Sequence, residues 1–131
     1  MLTRYLFQSG HASPAKGEIK RQGVKALYVE SNLRHEVSVF DTSTLTQEEI
    51  ISIGKDHVGK DRSDPLKYTF TFSEEIPTAI GLTIENDNAG HDRHCNIIQW
   101  PKTEEDKLEK EKELALAINS SAQKIFWQNK E

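Results

Sequence analysis

Glu36-Val37-Ser38-Val39-Phe40-Asp41-Thr42-Ser43-Thr44-Leu45-Thr46-Gln47-Glu48-Glu49-Ile50-Ile51-Ser52-Ile53 changes its period halfway along. Through Asp41, Val37 and Val39 alternate with Ser38 and Phe40, which is the period of a strand. From Thr46 the pattern becomes helical. Thr46 followed three residues later by Glu49 is a capping box: the hydroxyl accepts from the Glu49 N–H, and the Glu49 carboxylate reaches back to Thr46. Two acids in the first turn suit the helix dipole. Ile50, Ile51, Ile53 and Val58 supply an apolar side through about residue 58, and Gly54 inside it suggests that another element packs close. A strand and a capped helix this close in sequence point to an α+β chain.

Working outward, further strands are expected at Leu2–Phe7, Val24–Val29, Lys67–Phe72, Leu82–Ile84 and Asn96–Trp100. In the first, Tyr5 and Phe7 share a face opposite Arg4 and Leu6. In the fourth of the chain's strands, Tyr68, Phe70 and Phe72 alternate with Thr69 and Thr71, a composition that favours strand. A short turn at Glu74–Ile80 is limited by Pro77. From Pro101 to the C-terminus a long helix is expected, capped by Thr103, with Leu108, Ala115, Ile118, Ala122 and Ile125 at 3/4 spacing. The charges between Glu104 and Glu113 read as its solvated face. The expected architecture is a mostly antiparallel sheet of about five strands, with the central helix and the long C-terminal helix packed on one face.

The bulk numbers bound the class of protein. The 131 residues suit one domain, 1–131. A net charge of −4 argues against bulk nucleic-acid binding. One cysteine forms no internal disulfide, the opening apolar run is too short for a signal peptide, and no stretch approaches a membrane span. A soluble, cytoplasmic protein is therefore expected.

Chemistry concentrates in Gly90-His91-Asp92-Arg93-His94-Cys95-Asn96 and at loop–strand junctions elsewhere. Three chemistries compete. A metal site would draw on His91, Asp92, His94 and Cys95, but no paired ligand spacing recurs, and neither metal nor cofactor is expected. Cys95 beside His94 offers a thiol, yet adjacent strand residues face opposite ways, which leaves His94 poorly placed as its base. The preferred reading is an anion site. His94 and His11 would do acid–base work, while Arg93, Arg34, His35, Asn96 and Lys25 bind the ligand. Lys25 closes a basic, glycine-punctuated stretch, residues 16–25, that matches no phosphate-loop motif. The expected ligand is phosphate-bearing, such as a nucleotide, with binding expected and hydrolysis left open. The rival is a non-enzymatic protein–protein interaction module that uses the C-terminal helix and Phe126-Trp127.

Arg4-Tyr5, Ser9 with His11, Val24-Lys25-Ala26-Leu27, Ser38-Val39-Phe40 and Glu48–Gly54 stand in order before Arg93-His94-x-Asn96-Ile97-x-x-Trp100-Pro101. On these marks, from about residue 3 to 126, the chain resembles a family of small, uncharacterised bacterial proteins. The similar sequences commonly carry arginine where this chain has Asp41, and often glycine where it has Gln99. The resemblance implies a family and no activity.

Overall fold

A computed structural model describes residues 1–131. The strands are β1 (Leu2–Leu6), β2 (Ala12–Ser13), β3 (Glu18–Ile19), β4 (Leu27–Val29), β5 (Arg34–Asp41), β6 (Tyr68–Phe72), β7 (Thr83–Asn86), β8 (His94–Ile98) and β9 (Ile125–Gln128). The helices are α1 (Gln47–Ser52), α2 (Glu75–Ala79) and α3 (Glu104–Ser120). The fold is α+β. Seven strands make one sheet in the order β7-β8-β5-β1-β6-β9, with β4 also paired to β5, and every pairing is antiparallel. β2 and β3 form a separate small ladder.

The strand count exceeds the expected five chiefly because the C-terminal helix stops early. It ends at Ser120, and Ile125–Gln128 turn back to pair with β6. Ser121 Oγ accepts from Gln123 N at 3.3 Å in a turn past the helix end, and Ile125-Phe126-Trp127 suits a pleated surface. The 3/4 spacing of Ala122 and Ile125 is thus coincidental. Nearer the N-terminus, Arg21–Val24 form a 3-10 turn, so that strand is confined to Leu27–Val29.

The two helices lie on opposite faces of the sheet, which corrects the expectation that they share one. Successive strand side chains alternate faces. Leu2, Leu6, Val37, Val39, Phe70, Phe72, Cys95 and Ile97 meet Leu114, Ala115 and Ile118 of α3 in a core of 18 buried residues. Tyr5, Phe7 and Phe40 point the other way and meet Ile50 of α1 and Leu66 in a smaller core of five. The α3 side also buries charge. Lys107 and Glu111 lie inside rather than on a solvated face, and the Glu111 carboxylate accepts from Ala26 N at 2.8 Å, Arg21 Nη1 at 2.9 Å and Lys107 Nζ at 2.9 Å.

The capping box forms: Glu49 N donates to Thr46 Oγ1 at 3.2 Å and Thr46 N to Glu49 Oε1 at 3.0 Å. After Ser52 the helix widens into a π-type turn, Ile53–Val58, closed by Gly59 N donating to Gly54 O at 2.8 Å. The neighbour that Gly54 implies is Tyr5, since a Cβ on Gly54 would lie 2.6 Å from its ring. The Tyr5 hydroxyl donates to Ile50 O at 2.6 Å, which ties β1 to α1. This wide turn carries His57 across the sheet toward Phe40, their ring centroids 6.0 Å apart. No helix is long and apolar enough to cross a membrane.

Candidate histidine cleft

The register of β5 against β8 builds the site. Ser38 stands opposite Asn96 and Phe40 opposite His94, all on the α1 face. Phe40 is a buried floor. The rings of His91, His94 and His57 surround it, with centroids 5.4, 5.3 and 6.0 Å away. His57 and His91 lie 4.7 Å apart. With Ser38, Val58 and Gly90 these rings enclose a cleft of about 300 Å³.

His94 is held at both nitrogens. Nδ1 lies 2.9 Å from the main-chain oxygen of Asp87 and 3.6 Å from its carboxylate. Nε2 lies 2.7 Å from Ser38 Oγ. A carbonyl oxygen only accepts, so in the neutral ring Nδ1 carries the proton. Nε2 is then the acceptor, and the Ser38 hydroxyl donates to it. Asp87 is itself fixed: its N–H donates to His94 O at 2.9 Å, and its carboxylate accepts from the buried Asn96 amide at 3.1 Å.

His91 takes the complementary tautomer. Its Nδ1 accepts from Arg93 N at 3.1 Å, which leaves Nε2 to carry the proton. Burial and then the nearby His57 push its proton affinity below the ordinary histidine value. The cleft therefore joins an acceptor nitrogen on His94 to a donor nitrogen on His91.

The residues expected to form one anion site fall into three places. His94 lines the cleft, and Asn96 supports it through Asp87. Arg93 sits at its edge, where Nη1 donates to Asp41 O at 3.2 Å and Nη2 to Thr44 Oγ1 at 3.0 Å, joining the end of β5 to the loop before α1. Arg34 and His35 belong to a separate pocket of about 290 Å³ with Tyr28, Leu33 and Trp100. Arg34 is already paired with Glu36 and Glu85, and His35 packs edge-on against Tyr28 at 5.2 Å. His11 lies with Lys25 and Arg4, and its proton affinity is lowered by burial and then by those two cations. Arg4 shares the α3 face with Leu2 and Leu6, so the expected pairing of His11 with His94 does not form. The physical reason is the sheet itself, which places the two on different faces.

Sequence reasoning missed Ser38, Asp87 and His57 as site residues. Only the pairing of β5 with β8, and the π-type turn, bring them to His94. Cys95 points to the α3 core, and burial raises its thiol pKa. No group of three or more His, Cys, Asp or Glu side chains is arranged to hold a metal ion. No protein-family model, curated protein or solved structure matches the chain.

Proposed function

We propose that the histidine cleft binds a phosphate-bearing ligand, such as a nucleotide through its phosphate, and that His94 acts there as the acid–base group. The observation that carries this reading is the pair of complementary tautomers: His94 presents an acceptor and His91 a donor in one cleft. A phosphate monoanion offers both an O–H and bare oxygens, and histidine exchanges protons near neutral pH. The cleft lies at the small end of ligand pockets, which suits a phosphate and its ester oxygen with the rest of the ligand outside. His94 keeps the catalytic role expected of it, with His57 and His91 taking the place assigned to His11.

The rival reading, an interaction module on the C-terminal helix, has little left to support it. Phe126 packs on Phe70 at 4.9 Å and Trp127 joins the core beneath α1, so the two are half-buried on opposite faces of the sheet rather than grouped on a helix. On α3 the exposed large apolar side chain is Leu116, and a single exposed leucine is ordinary.

The test is a thermal-shift titration of wild type and His94→Ala with inorganic phosphate and nucleoside monophosphates. Ligand at about 100 times its Kd stabilises the native state by about 2.7 kcal/mol. The wild type should shift and the variant should not. An unshifted wild type, or an equal shift in His94→Ala, would reject the cleft as the site.

A further inference from the structure

We infer that Ser38 is a nucleophile, forming a transient phosphoserine with a phosphate ester while His94 moves the proton; this rests on the reading of the cleft as a phosphate site. Ser38 is the one hydroxyl-bearing residue lining the cleft, and it is exposed there. Its Oγ lies 2.7 Å from His94 Nε2, the nitrogen left as acceptor because Nδ1–H is engaged by the Asp87 carbonyl. The Asp87 carboxylate, 3.6 Å from Nδ1, stands where it stabilises the imidazolium that forms when His94 takes the serine proton. Serine, histidine and aspartate in these roles make a nucleophile relay, which is recognised by geometry rather than by sequence order. Asp87 is a positioning residue, and the Asn96 amide fixes its carboxylate.

The mount is rigid. Ser38 lies inside β5, flanked by the register pairs Val37 with Ile97 and Val39 with Cys95. Its carbonyl accepts from Arg4 Nη1 at 3.0 Å. The β5–β8 ladder is already complete around it, so the side-chain bond from Ser38 to His94 is not needed to join the strands. A serine here sets a hydroxyl against an imidazole in open reach of a ligand. The His91 Nε2–H is available to a non-bridging phosphoryl oxygen as charge builds on it.

The step balances with water as co-reactant. The Ser38 Oγ–P bond forms as the P–O bond to the leaving alcohol breaks. The serine proton passes to His94 Nε2 and then to the departing alkoxide. Water next attacks phosphorus and gives a proton to His94. The Oγ–P bond breaks, His94 returns that proton to Ser38, and inorganic phosphate leaves.

The experiment treats the full chain with a fluorophosphonate, a phosphorus electrophile that loses fluoride when serine attacks, and maps the adduct by peptide mass spectrometry. The wild type should carry one adduct, on Ser38. His94→Gln should slow labelling by at least about 100-fold, the lower range of general-base assistance. The wild-type labelling rate should also fall as the pH drops, since an imidazole accepts a proton only in its neutral form, a readout that does not need a folded variant. No adduct, an adduct elsewhere, or labelling of Ser38 independent of both His94 and pH would overturn the proposal. Inorganic phosphate binding to wild type and Ser38→Ala is measured alongside. Binding by both with no adduct would remove the nucleophile and leave the binding site standing. An adduct on Ser38 in a wild type that binds no phosphate would overturn the phosphate-ester class, and with it the proposal.

Discussion

The two faces of the sheet handle their titratable clusters in opposite ways. Under α3, Glu111 is fully buried, and its two carboxylate oxygens receive three donors, from Ala26, Arg21 and Lys107. Two of the donors are buried and the third, Arg21, closes the network from the solvent edge. Under α1, three histidines surround Phe40 at an open cleft, and the acceptor of His94 is met only by an exposed serine hydroxyl. A closed network holds the fold and leaves nothing for a ligand. An open one contributes less to stability and leaves groups free to exchange partners.

The contrast predicts unequal mutational costs. Glu111→Ala strands a buried lysine and a backbone N–H, and breaking such a buried pair costs about 3–5 kcal/mol. His94→Ala, on the open face, should stay within about 1 kcal/mol of wild type. Urea unfolding of both variants checks this. If His94→Ala proves the more damaging, the functional and structural faces have been assigned the wrong way round.

Gly54→Ala probes how tightly α1 sits on its face. The added Cβ meets Tyr5 ring carbons at 2.6 Å and Leu66 at 2.8 Å, so the π-type turn or the ring must move. Overpacking of this kind costs about 1–3 kcal/mol. Because His57 rides on the same turn, phosphate affinity should fall with stability, whereas Glu111→Ala, once corrected for its unfolded fraction, should leave affinity unchanged. Equal affinity in Gly54→Ala and wild type would show that His57 is not part of the site.

What was legible in the sequence follows the range of the interactions. The capping box at Thr46 and Glu49 and the alternation of Tyr68, Phe70 and Phe72 are local, and both appear as expected. The close neighbour of Gly54 was legible too, although its identity as Tyr5 was not. Side-chain partners set by strand pairing were hidden. Ser38 and His94 are 56 residues apart, and only the antiparallel register of β5 and β8 makes them neighbours. The same blindness grouped His11 and Arg34 with His94, since each stands at a loop–strand junction and nothing local says which face it takes. The end of α3 was misread because Ala122 and Ile125 continued a helical spacing by chance, while β6, the strand partner of Ile125, lay far back in the chain.

Acid should act on both faces, with the sign set by His91 and His11. Both bind a proton less readily in the folded chain than the ordinary histidine value of 6.5. The unfolded state therefore takes up more protons as pH falls through that value, so stability present above it is lost below it. Melting temperature should decline from about pH 7 to about pH 5.5. His91→Asn and His11→Asn should each flatten that decline. A slope unchanged in both would assign the acid sensitivity to other groups.

The smallest effects expected come from two strained residues that share the second pocket. Leu33 and Gln99 hold φ of 53° and 69°, the left-handed region that favours glycine. An L-residue there gives up about 1–2 kcal/mol. The tether differs. Leu33 is 77% exposed and buries little, whereas the Gln99 side-chain oxygen accepts from Thr83 Oγ1 at 2.8 Å, linking the end of β8 to β7. Leu33→Gly should therefore raise stability by about 1 kcal/mol, the relief of strain less the extra freedom of the unfolded chain. Gln99→Gly should gain less, because it also gives up a hydrogen bond worth about 0.5 kcal/mol or more. Midpoints of urea unfolding resolve the difference if the slopes are unchanged. Equal gains would mean that the Thr83 bond holds nothing, and the strain at Gln99 would then need a reason outside the fold, in what the pocket of Tyr28, His35 and Trp100 receives.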